Sequence, residues 1–109
     1  MLKKANRLTS ALFTKYFKQG KRVNGEYLTV IKHNYTTFLA AVVVGRKVSK
    51  WAVKRNLIRR RVYSILEEVK ISMDIKNGVF IVLVKPSINN LTKKQFQKLL
   101  KEEFGRLLK

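Results

Sequence analysis

Apolar residues recur along this chain at two spacings, one helical and one extended. Leu12, Phe13, Tyr16 and Phe17 share a helical face, which predicts a first helix from Thr9 to about Lys18. Thr9 is a suitable N-cap, since its hydroxyl can accept from a free N–H of the first turn. Leu8 and Phe13 flank it as a hydrophobic staple, and Gly20 ends the helix. Asn24-Gly25 is a turn signal, and Tyr27 to Lys32 reads as a strand. Residues 33–37 connect it, as a hairpin or by a longer route, to Phe38–Val44. That run is continuously apolar and is expected to be a strand buried on both faces. A second helix is expected to begin near Ser49 and run to about Val69, with Trp51, Ile58, Val62, Ile65, Leu66 and Val69 on one stripe. Arg55, Asn56, Arg59 and Arg60 fall on one flank of the stripe, Lys54 and Arg61 on the other. After an Asn77-Gly78 turn, Val79–Val84 reads as another apolar strand, stopped by Pro86. Thr92 and Gln95 form a capping box for a last helix, stapled by Leu91 and Phe96. Its buried stripe is Phe96, Leu99, Leu100, Phe104 and Leu107.

The order is α-β-β-α-β-α, with room for one extra short strand. Strand 38–44, helix 50–69 and strand 79–84 make a βαβ unit, so the sheet is expected to be mixed and partly parallel. The class is α/β (α+β). A length of 109 residues allows one domain, 1–109, and no repeat or linker is visible. Cysteine is absent, which removes disulfide scaffolds, thiolate metal sites and thiol catalysis. No apolar run approaches the roughly 18 residues of a membrane helix. The basic start Met1–Arg7 has no apolar stretch behind it, unlike a signal peptide. A soluble, cytoplasmic protein is expected, with no membrane contact and no obligate protein partner.

Charge sharpens the picture. The chain has 25 Lys+Arg against 6 Asp+Glu, a net charge of +19. Self-repulsion on so small a body is costly, and a chain that bears it ordinarily meets a polyanion. The excess is uneven. Residues 45–61 hold eight cations and no acid: Arg46, Lys47, Lys50, Lys54, Arg55, Arg59, Arg60 and Arg61. A charge run is ordinarily a solvated face, but such faces mix signs and this one does not.

Protein-borne catalysis finds little support. His33 is the sole histidine and sits in an expected turn. Glu67 and Glu68 are neighbours that point apart on a helix. No carboxylate pair is spaced for two metals, no Ser or Thr has a histidine partner, and no phosphate-cradling glycine loop is present. Nucleic-acid chemistry is better served. Arginine forks suit phosphate oxygens and can stack on bases. Asn56 among them is a neutral group suited to a base edge or a ribose 2′-OH.

Arg55-Asn56-Leu57-Ile58-Arg59-Arg60 resembles the Arg-Asn-Arg-x-Lys-Arg stretch of the bacterial ribonuclease P protein subunit. It matches at Arg55, Asn56 and Arg60, with Arg59 in place of Lys. Arg46-Lys47 resembles the basic pair that precedes this stretch in that family. Leu57 stands where the family usually has a second Arg, and Trp51 is unusual at the helix start. Asn6-Arg7-Leu8 with Phe13 and Phe17, and Phe80–Pro86 followed by a capped helix, extend the resemblance over the whole chain.

The resemblance implies a sandwich around an approximately four-stranded sheet, with a left-handed βαβ crossover. It implies a protein cofactor that binds a catalytic RNA and the 5′ leader of precursor tRNA, while the RNA and its Mg²⁺ cut the leader away. Arg46, Lys47, Lys50, Lys54, Arg55, Asn56, Arg59, Arg60 and Arg61 are the residues expected on the catalytic RNA. Phe13, Phe17, Tyr27, Thr29 and Ile31 are those expected in a leader cleft between the first helix and the sheet. Phe13 and Phe17 read equally as core packing, and Tyr27 as a half-buried strand aromatic. Lys3, Lys4 and Arg7 either reach phosphates or belong to a loose tail. No residue is assigned a catalytic role, and no metal ligand is assigned to the protein. A structural, rRNA-binding protein of ribosomal type shares the charge and size and is the alternative.

Overall fold

The computed structural model describes residues 7–108; Lys3, Lys4 and Asn6 lie outside them. The elements are α1 (Ser10–Gln19), β1 (Lys21–Asn24), β2 (Leu28–His33), β3 (Phe38–Val43), α2 (Ala52–Ser72), β4 (Gly78–Val84) and α3 (Lys93–Leu107). A 3₁₀ turn, Pro86–Asn90, precedes α3. The sheet order is β1-β2-β4-β3. β2 pairs antiparallel with β1 and β4, while β3 pairs parallel with β4. The sheet is therefore mixed and four-stranded, and the extra strand is β1. Residues 33–37 do not form a hairpin, since β4 lies between β2 and β3. The near-continuous apolar character of β3 suits parallel pairing under a crossover helix.

Alternation along the strands divides the interior into two layers. Leu28, Val30, Phe38, Ala40, Val42, Phe80, Val82 and Val84 face α2 and α3, and pack with Ile58, Val62, Leu66, Leu100 and Phe104. Ile31, Leu39, Val79 and Ile81 face the other way, beneath Tyr16 of α1. Gly20 permits that approach: a Cβ there would collide with Ile31 and lie 2.8 Å from the Tyr16 carbonyl oxygen.

The hand of the crossover follows from one hydrogen bond. Ala40 faces α2, and its carbonyl accepts from Leu8 N–H at 3.0 Å, on the side of β3 away from β4. Consider β3 running upward with the Ala40 side chain toward the viewer. The chirality of an L-residue then directs its carbonyl to the right. β4 therefore lies to the left, and a chain passing through α2 in front moves leftward. The crossover is left-handed, against a rule that holds for about 98% of such units.

The helix starts differ in quality. Thr9 caps α1 through Leu12 N–H at 3.4 Å, and the Thr92–Gln95 box closes with bonds of 3.2 and 3.1 Å. α2 begins at Ala52 with Trp51 as N-cap, two residues after the expected cap at Ser49. The Ser49 carbonyl would accept the first helical bond were Ser49 the cap. It accepts from Arg55 Nη1 instead, at 3.0 Å, while Asn89 Nδ2 holds the Val48 carbonyl at 2.6 Å. Trp51 consequently leaves the core stripe and is 65% exposed.

Glu103 sits in the middle of the apolar stripe of α3 and is fully buried, whereas Leu99 is only half-buried. Its carboxylate accepts from the backbone N–H of Glu26 at 2.5 Å and of Tyr27 at 3.0 Å, tying α3 to the β1–β2 turn. Gly25 is required there, because a Cβ would stand 2.6 Å from the Glu103 Cδ. A further tie joins Lys101 of α3 to Glu68 of α2 at 2.8 Å, and the hydrogen bond from Lys101 holds the Glu68 carboxyl below its ordinary pKa.

Candidate RNA interface

The basic segment is displayed by three local devices. A turn closed by Val48 N–H on the Gly45 carbonyl, at 3.1 Å, pushes Arg46 and Lys47 into solvent while Val48 is buried. The 3₁₀ turn pins that loop through Asn89. The core stripe of α2 then turns Lys54, Asn56 and Arg60 outward and leaves Arg59 and Arg61 half-buried at its borders. Among the nine expected residues, Arg46, Lys47, Lys50, Lys54, Asn56 and Arg60 are exposed, Arg55, Arg59 and Arg61 are half-buried, and Arg60 and Arg61 together line a groove against α3. The Arg61 guanidinium stands 5.9 Å from the Phe96 ring centroid.

Three of these side chains already make hydrogen bonds within the fold. Arg55 is half-buried and donates to Ser49. Asn56 Oδ1 accepts from Arg59 Nη1 at 2.8 Å, which leaves the Asn56 amide to donate outward. Arg55→Ala is therefore expected to lower stability by about 1–2 kcal/mol, since a charge-assisted bond to a part-buried carbonyl is lost. Arg60→Ala, at an exposed position, should stay within about 0.5 kcal/mol. Urea denaturation of the two variants measures the difference.

The α1 face of the sheet forms a second surface. Phe13 and Phe17 stack with centroids 5.7 Å apart, and Phe17 is 39% exposed. The Arg22 guanidinium stands 5.5 Å from the Phe17 centroid. Strand register sets Asn24, Thr29, Leu83 and Val43 in a row across this face. Thr29 Oγ1 donates to Asn24 Oδ1 at 3.0 Å. Leu83 and Val43 at the far end are half-buried.

The expected cleft residues do not all meet there. Phe13 and Phe17 lie on this face; Thr29 points to it but is buried, and Ile31 is sealed under Tyr16 in the core. Tyr27 precedes β2 and packs against the opposite core, beside Leu99, Glu102, Gly105 and Arg106 of α3. Its strand alternation does not reach that far, because Glu103 takes its N–H and bends the chain toward α3. Burial, and then the charge of Glu26, raise the phenol above its ordinary pKa. Arg22 and Asn24 were not anticipated. They lie on β1, whose sequence Lys-Arg-Val-Asn has no apolar alternation to mark it as a strand.

The two surfaces adjoin. β3 carries Val43 to the end of the row, and Arg46-Lys47 follow three residues later. Among the described residues no group of three His, Asp or Glu side chains could hold a metal ion, and no helix is long and apolar enough to cross a membrane.

Known proteins resemble this chain in sequence and in fold. The chain is 30% identical over 98 residues to the ribonuclease P protein component of Mycoplasma genitalium, covering 88% of this chain and 75% of that one. It is 34% identical over 99 residues to the same component from a Pseudanabaena species, covering 84% of this chain and 85% of that one. A mutant RNase P protein of Staphylococcus aureus, defective in mRNA degradation, has the same fold, with a TM-score of 0.75 at 24% identity over 94% of this chain and 88% of that one. The family model for Ribonuclease P spans residues 2–108. With that match over nearly its full length, the chain belongs to the ribonuclease P protein family, the protein components of the tRNA-processing endoribonuclease.

Proposed function

We propose that this chain grips the catalytic RNA of ribonuclease P with the 45–61 segment and holds the 5′ leader of precursor tRNA on its α1 face. The observation that carries this reading is the run of eight cations without an acid, five of which, Arg46, Lys47, Lys50, Lys54 and Arg60, are exposed on a pinned loop and the outer side of a helix with a buried stripe. Phosphate contacts from Arg46, Lys47, Lys50, Lys54, Arg59 and Arg60 supply affinity, and the free amide of Asn56 donates to a base edge or 2′-OH. Phe13 and Phe17 offer aromatic faces that accept bases without regard to sequence, with Arg22 beside them for a phosphate. In this reading hydrolysis belongs to the RNA subunit with its Mg²⁺, and the protein positions the substrate. A structural ribosomal role is not favoured by the family match.

Reconstitution tests the division of labour. RNA-free protein is expected to leave precursor tRNA intact. Added to a bacterial ribonuclease P RNA, it should lower the Mg²⁺ concentration needed for leader removal and tighten precursor binding more than mature tRNA binding. Cleavage by the protein alone, or an unchanged Mg²⁺ requirement, contradicts the proposal.

A further inference from the structure

We infer that the Trp51 indole is a stacking platform for an unpaired nucleobase of the bound RNA. This rests on the RNA-binding reading above and adds to it a contact made by an apolar ring amid the cations. The indole belongs to neither core cluster and is 65% exposed, which is unusual for the largest side chain. Its position also costs stability. As N-cap of α2 it makes no side-chain bond to the helix, where Ser, Thr or Asp would satisfy a free N–H. A residue that fails as core and fails as cap has no structural reason to be Trp.

The surroundings fit a base. Arg46, Lys47, Lys50, Lys54 and Arg55 lie within five residues of it along the chain. Lys50 Nζ stands 5.1 Å from the ring centroid, close enough for a cation–π contact. A nucleotide stacked on the indole would thus have cations beside it for its phosphates. The platform is also held in advance. Trp51 N–H donates to Ser49 Oγ at 3.2 Å, and its carbonyl accepts from Arg55 N–H at 3.0 Å. Arg55 ties back to the Ser49 carbonyl, so the backbone on both sides of the ring is fixed. Stacking on an aromatic ring is sequence-tolerant and needs no hydrogen-bond code.

Trp51 is the sole tryptophan, so its emission reports on this site alone. Titration with a bacterial ribonuclease P RNA is expected to quench it, saturating at the same RNA concentration as an independent binding assay. Trp51→Ser should weaken binding about five- to a hundred-fold, with the salt slope unchanged because no charge is removed. The same change installs a good cap, so the melting temperature should hold or rise; a purely structural Trp would give the opposite sign. Trp51→Phe should recover part of the affinity. Tight RNA binding with unquenched emission and an indifferent Trp51→Ser variant overturns the inference while leaving the RNA-binding reading intact. Absence of RNA binding by the unmodified protein overturns both. Self-association in sedimentation that Trp51→Ser abolishes, with RNA affinity unaffected, assigns the ring to a protein contact and likewise overturns it.

Discussion

Glu103→Ala is expected to lower the unfolding free energy by about 3–5 kcal/mol, a large part of the 5–15 kcal/mol that holds a typical domain together. The carboxylate is fully buried and accepts from two successive backbone N–H groups, those of Glu26 and Tyr27. A hydrogen bond to a charged group is worth about 1.5–3 kcal/mol, and removing the acceptor strands both donors near the core. Arg106 approaches the same carboxylate at 3.7 Å but is largely exposed and adds little. The loss reaches beyond α3, because the carboxylate also fixes the turn that sets the register of β1 on β2. Glu103→Gln keeps the shape and one acceptor oxygen, and should cost roughly half as much or less. Urea denaturation measures both, with a lower midpoint at unchanged slope. A Glu103→Ala protein within about 1 kcal/mol of the unmodified one contradicts the role assigned to this contact.

Replacing Arg46, Lys47, Lys50, Lys54, Arg59 and Arg60 by Gln together should flatten the salt dependence of RNA binding by about 4–5 in the log–log slope, at roughly 0.7–0.9 per phosphate contact. Between 50 and 200 mM salt the unmodified protein then loses about a thousand-fold more affinity than the variant. The variant should fold at least as well, since like charges are removed from a strongly cationic body. Weak binding therefore cannot be blamed on unfolding. Arg55 is left in place because its bond to Ser49 belongs to the fold. A slope that changes by less than one unit means that these side chains face bulk solvent in the complex.

Periodicity and capping chemistry made most of the architecture legible. The α1 and α3 starts, the β3–α2–β4 unit and the core stripe from Ile58 to Val69 all follow from residue spacing, and the structure has them. Contacts between residues distant in sequence account for the departures. Arg55 claims the Ser49 carbonyl that would have opened α2, beside a Val48 carbonyl held by Asn89, and Trp51 faces outward. Glu103 looks like a surface residue in a list of letters; only the two backbone donors from the β1–β2 turn make its burial intelligible. The basic surface was legible because it is local, a loop and three helical turns. The α1 face was legible only in part. Phe13 and Phe17 share one helix, but Arg22, Asn24 and Leu83 join them through strand register, and Tyr27 leaves them for α3. The hand of the crossover came from family resemblance alone, because residue spacing is blind to mirror images.

The bond from Leu8 N–H to the Ala40 carbonyl bears on the protein's behaviour in a crowded solution. β3 borders the sheet, and Phe38-Leu39-Ala40-Ala41-Val42-Val43 carries no charge. A bare border of that composition is a template on which a second copy could add its own strand and begin an aggregate. The segment at Arg7-Leu8 occupies part of it. The opposite border, β1, is protected differently: it is four residues long and bears Lys21 and Arg22. Both open ends of the sheet are thus guarded against edge-to-edge polymerisation, one by chain and one by charge.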